Sequence, residues 1–130
     1  MNAHDLTLET LPGHYGVFRL APDAAVPAWI LAADGFLSIT RTKDELSIVC
    51  AEDSVPPWAK AERGFRILKV QGILDFFLTG ILATIAVPLA EANISIFAVS
   101  THDTDYVLVA ANRLEDAIHA LTAAGHKVQP

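Results

Sequence analysis

Hydrophobic and polar positions along this chain alternate with period two in several short stretches and with a helical period in longer ones. Leu6 to Leu11 and Tyr15 to Leu20 predict two strands joined by the turn dipeptide Pro12–Gly13. Pro22 to Pro27 interrupts the pattern, and Trp29 to Ala33 predicts a short helix ending before Gly35. Phe36 to Thr42 and Leu46 to Ala51 predict a hairpin closed by the polar turn Thr42–Glu45. Asp53–Pro57 breaks the chain again, and Trp58 to Arg63 reads as a weakly amphipathic short helix stopped by Gly64.

The second half is more regular. Phe65 to Val70 alternates and predicts a strand. Asp75 is placed to cap a helix whose apolar stripe runs through Phe77, Leu78, Ile81, Leu82, Ile85 and Leu89. Ala83, Ala86 and Ala90 keep its other face small, Pro88 marks a distorted last turn or an early end, and Asn93 closes it. Ile94 to Val99 and Asp105 to Ala110 predict strands across the polar link Thr101–Thr104. Arg113 to Ala124 predicts a helix with Gly125 just past its end, and His126 to Gln129 a last short strand. The order βαββαβ over Phe65 to Gln129 is ferredoxin-like. The first half repeats it weakly, which predicts an α+β fold of two tandem units, over 1–62 and 63–130.

Composition narrows the function. A chain of 130 residues that is 52% hydrophobic buries a sizeable core, and some of the apolar excess is expected to cover a subunit interface. A net charge of −6, with the 9 Lys and Arg scattered, argues against nucleic acid and anionic membrane surfaces. The uncharged run Phe76 to Ala90 is too short to span a bilayer and carries Pro88, so a buried helix is expected. The N-terminus lacks the basic start and apolar core of a signal peptide, so a cytoplasmic location is expected. The single cysteine, Cys50, sits in an apolar strand and is expected to be buried and inert. Trp29 and Trp58 are read as core lids or interface residues.

No nucleophile elbow, P-loop or dinucleotide fingerprint is present, and no cofactor is expected. Ser100, His102 and Asp105 have the residue types of a hydrolytic triad but occupy one short turn. His102 with Asp103 and Asp105 lacks a second histidine at metal-binding spacing.

Gly72 with an acidic residue three positions on, the following TGIL, and the link ST-x-x-TD-Y together resemble an ACT domain. More narrowly, residues 72–109, with LSIVC (46–50) and AAGHKV (123–128), resemble the small bacterial CASTOR-type proteins built from two tandem ACT-like units. That resemblance implies a non-enzymatic regulatory module that binds an amino acid or other small ligand and works as a homo-oligomer, with a dimer expected. It places the ligand site on Gly72, Ile73, Leu74 and Asp75 and on Thr101, His102, Thr104 and Asp105. The eukaryotic members sense arginine; His102 and Thr104 stand where larger rings are expected in them, which points away from arginine itself. Chemically, a helix N-terminus suits a carboxylate, and Asp75 and Asp105 suit an ammonium group. The plain alternatives are that Asp75 is only a cap, Gly72 only a turn residue and Asp105 a solvated turn acid. A protein-interaction module with a vestigial pocket is the competing function.

Overall fold

A computed structural model describes residues 5–74 and 79–130. The chain divides into two compact units: one runs up to Pro12 and resumes over Arg66–Pro130, and the other is Gly13–Phe65. Both are α+β and ferredoxin-like.

The unit Gly13–Phe65 holds β2 (Tyr15–Leu20), α1 (Ala28–Leu31), β3 (Ser38–Arg41), β4 (Leu46–Ala51) and the first residues of β5 (Lys60–Val70), in the sheet order β3-β4-β2-β5. Alternation along β4 points Leu46, Ile48 and Cys50 into a core with Phe18, Ile30 and Val55. A 3-10 turn at Glu52–Ser54 follows this hairpin, ahead of the segment where a helix was expected.

Trp58 to Arg63 is the clearest departure from expectation. Lys60 onward is strand, not helix, and Gly64 does not end it. Tyr15 pairs with Phe65 but Val17 pairs with Glu62, so β5 inserts an extra residue there. Gly64 sits in that bulge with φ +78°, a conformation in which a side chain would be strained. The Gly64 amide donates to Glu52 Oε1 at 2.6 Å. The free edge of β2 thus recruits a charged, helix-prone segment (Lys60, Glu62, Arg63) as its neighbouring strand. Trp29 and Trp58 are 52% and 69% exposed, so neither is a core lid.

The other unit holds β1 (Thr7–Thr10), the last residues of β5, α2 (Ile81–Glu91), β6 (Phe97–Ser100), β7 (Asp105–Ala110), α3 (Leu114–Ala123) and β8 (Lys127–Gln129), in the order β6-β7-β5-β1-β8. β1 lies between β5 and β8, antiparallel to the first and parallel to the second. A contiguous division at 62/63 therefore does not describe the packing. Leu8 is fully buried among Leu68, Val70, Ile85, Leu89, Val107, Val109 and Leu121. Each such side chain contributes about 1.5–3 kcal/mol when fully buried, which fixes the position of a strand that is only 4 residues long.

Helix α2 begins at Ile81, with Gly80 as its N-cap. The capping role expected for Asp75 is thus not on α2, and Asp75 itself lies outside the described residues. The helix continues through Pro88 to Glu91. Proline has no N–H, so the carbonyl four residues earlier, on Thr84, loses its helical donor. His126, 4% exposed, replaces it: Nε2 donates to the Thr84 carbonyl at 3.1 Å, while Nδ1 accepts the Leu6 amide at 3.0 Å. This pair of bonds defines the neutral tautomer with its proton on Nε2. Asn93 follows the helix with φ +59°, as its place at the helix end suggests.

Candidate functional site

The chain turns from β6 into β7 through Thr101–Thr104, with Ser100 paired to Asp105. Local hydrogen bonds hold this corner. The Thr101 amide donates to the Thr104 carbonyl at 2.9 Å, and the Thr101 hydroxyl donates to the same oxygen at 3.1 Å. Thr104, 5% exposed, donates its hydroxyl to the Val70 carbonyl at 2.8 Å, pinning the turn to the end of β5. The segment after β5 meets the turn directly: the Leu74 amide donates to the Asp103 carbonyl at 2.8 Å.

These two corners and the start of α2 enclose a cleft of about 320 Å³ lined by Leu74, Gly80–Leu82 and Ser100–Asp105. Its floor is apolar through Leu74, Ile81 and Leu82, and its rim is polar. Helix α2 brings its N-terminus here with no side-chain cap and no acidic residue in its first turn. The positive end of the helix therefore faces ligand-sized space. On the opposite lip, Ser100 donates its hydroxyl to Asp105 Oδ1 at 2.6 Å, holding that carboxylate in place. His102 Nδ1 lies 3.0 Å from Asp103 Oδ1, with both side chains well exposed.

Of the residues predicted from sequence, Leu74, Thr101, His102, Thr104 and Asp105 line this cleft together. Gly72 and Ile73 precede it without lining it, and Ile73 is 80% exposed. Asp75 lies outside the described residues. As lining residues, the sequence reading missed Gly80, Ile81, Leu82, Ser100 and Asp103. The available signal was Thr79–Gly80, a plausible helix entry hidden inside a long uncharged run. The hydrolytic arrangement does not form, because the Ser100 hydroxyl is bonded to carboxylate, not to the His102 imidazole. Among the described residues, no group of three His, Cys, Asp or Glu could hold a metal ion. Cys50 is buried in the other unit, and burial pushes its thiol up from 9.0 to about 11. No helix among the described residues is long and apolar enough to cross a membrane.

Fold and cleft together define a ferredoxin-like α+β module with a small polar-rimmed cleft. The ACT domain model matches residues 60–123, and a second model, described as an N-terminal domain, matches 13–58. A crystallised protein from Agobacterium tumefaciens is 44% identical with a TM-score of 0.90, over 97% of this chain and 93% of that one. The chain belongs to the ACT domain family. A Vibrio cholerae protein of unknown function, described as a possible transport protein, has a TM-score of 0.74 at 18% identity, covering 94% of this chain and 91% of its own. The regulatory subunit of aspartate kinase from Thermus thermophilus shares the fold, with a TM-score of 0.59 at 13% identity over 94% of this chain and 95% of its own. No curated protein sequence matches the chain.

Proposed function

We propose that this protein is a non-enzymatic regulatory module that binds a free amino acid in the cleft between Leu74 and Asp105, and that it works as a homodimer. The observation that carries this reading is the convergence on one cleft of an uncapped helix N-terminus and a fixed carboxylate. A zwitterion presents one group for each. The first amides of α2 suit its carboxylate, and Asp105 suits its ammonium, with Ser100 holding one oxygen of Asp105 and leaving the other to accept. Asp103 and His102 stand at the rim, where they would contact a ligand side chain. Gly72 and Ile73 belong to the proposal as the approach to Leu74, and Asp75 remains part of it from the sequence alone. The aspartate kinase regulatory subunit, which has the same fold, supports the regulatory part of the reading.

Thermal shift against the proteinogenic amino acids tests it. A ligand at ~100 times its dissociation constant adds about 2.7 kcal/mol of stability. Asp105→Ala should weaken binding roughly tenfold or more, as for a charge-assisted hydrogen bond of about 1.5–3 kcal/mol, with less than ~1 kcal/mol change in stability. No response to any amino acid, or equal losses of folding and binding in Asp105→Ala, would count against this site.

A second reading has its own observation. Trp29, Leu31 and Trp58 of the Gly13–Phe65 unit are 52%, 64% and 69% exposed, which suits an interaction module with a vestigial cleft. A ligand response in a protein that sizes as a monomer would disfavour it.

A further inference from the structure

The side chains that line the cleft between Leu74 and Asp105 have committed their donors within the protein. The Ser100 hydroxyl donates to Asp105 Oδ1 at 2.6 Å, that of Thr101 to the Thr104 carbonyl at 3.1 Å, and that of Thr104 to the Val70 carbonyl at 2.8 Å. A carboxylate only accepts, so His102 Nδ1 donates to Asp103 Oδ1 at 3.0 Å, and the neutral ring then has an acceptor at Nε2. Among the described residues the lining holds no Lys or Arg. What these side chains still offer a ligand is acceptor capacity, on the second oxygens of Asp103 and Asp105. Two carboxylates without a fixed cation also give the rim a negative potential.

Resting on the reading of this cleft as an amino-acid site, we infer that its ligand is a diamino monocarboxylic acid, lysine or ornithine. The side-chain ammonium pairs with Asp103 while the α-ammonium takes Asp105. A side chain ending in a carboxylate meets two negative charges there and no side-chain donor. An ammonium brings donors only, and its methylene stem suits the floor made by Leu74, Ile81 and Leu82. Asp103 is well exposed, so the ammonium keeps part of its water. A guanidinium fits less well. Its fork grips both oxygens of one carboxylate, and here each carboxylate has one oxygen engaged, by His102 in Asp103 and by Ser100 in Asp105. The volume, about 320 Å³, lies at the low end for small-molecule pockets and suits a single free amino acid.

Isothermal titration of the whole protein with lysine, ornithine, norleucine, arginine and glutamate tests this. Norleucine has the stem of lysine without its ammonium. Lysine or ornithine should bind roughly two- to fivefold more tightly than norleucine, as for an exposed ion pair. Arginine should bind more weakly than lysine, and glutamate should not bind detectably. Asp103→Asn keeps the backbone carbonyl that accepts the Leu74 amide, and should bring the lysine-to-norleucine affinity ratio close to one. Asp105→Ala should weaken lysine and norleucine alike, roughly tenfold or more. Norleucine binding as tightly as lysine and ornithine overturns the inference while leaving the amino-acid site standing. So does a lysine preference that survives Asp103→Asn, or arginine binding at least as tightly as lysine. Absence of binding by every amino acid overturns both the inference and the site.

Discussion

The two units build the same corner in different ways. In the Gly13–Phe65 unit the first strand, β2, leads through a proline-bounded loop into a helix of only 4 residues. The loop carbonyls of Pro22 and Ala24 accept from the guanidinium of Arg41, at the end of β3. In the other unit, β5 leads toward an 11-residue helix, and no cation occupies the equivalent place at the end of β6. Ser100 and the Thr101–Asp105 turn are there instead, and the cleft lies against them. One corner is closed by a side chain of its own chain. The other leaves its polar groups lining the cleft. Thus the same topology yields a closed corner or one that borders a cleft, the proposed recognition corner, depending on what stands at the end of the second strand.

The largest test of this contrast removes core volume from each unit in turn. Phe18→Ala should cost about 3–5 kcal/mol and Leu89→Ala about 2–5 kcal/mol, read from urea unfolding midpoints. Phe18→Ala should nonetheless leave amino-acid stabilisation in place, whereas Leu89→Ala, on the buried face of α2, should reduce it. Loss of the ligand response in Phe18→Ala alone would reverse the assignment of the recognising corner.

A smaller effect is expected at His126. Truncation to Ala leaves the Leu6 amide and Thr84 carbonyl unpaired and should cost about 1–3 kcal/mol. Pro88→Ala restores an N–H that can reach the Thr84 carbonyl, so the His126→Ala penalty should shrink in that background. A double-mutant cycle with coupling of at least ~0.5 kcal/mol is the expected result; strict additivity would sever the link between this proline and this histidine.

Arg41→Ala should cost only about 1 kcal/mol, since its bonds are exposed, and should not alter ligand binding. The smallest effect is titration of Cys50. Its thiol is raised to about 11 in the folded protein against 9.0 ordinarily, so the folded state holds its proton where the unfolded state has lost it. That contribution is fully present below pH 9.0 and is lost as pH rises toward about 11. The decline in stability over that window should be shallower in Cys50→Ala, and the native thiol should resist alkylation near neutral pH.

Much of this was legible in the sequence. Tyr15–Leu20, Leu46–Ala51 and Asp105–Ala110 were bounded correctly, because each is a largely buried apolar run flanked by turn residues. The polar turn Thr101–Asp105 stood out for the same reason, as a polar break between apolar strands. The first part of β5 did not, since Ala59 to Glu62 is helix-prone and its strand identity comes only from pairing with β2. Nor did the start of α2, whose entry at Gly80 lies within an uncharged run. The partners of β1 were hidden because one core leucine in 4 residues cannot specify which distant strands it joins.

The position of β1 also bears on how the chain matures. The ribosome releases this strand before any of its neighbours exist, and the Leu6 amide waits 120 residues for the His126 ring. Gly13–Phe65, by contrast, contains all of its own strand partners and can close on local contacts. It is therefore expected to fold during synthesis while β1 remains an unpaired edge awaiting β5 and β8. Quality control of a nascent or truncated chain would act on that waiting segment, since chain loss after α3 deprives β1 of its parallel neighbour.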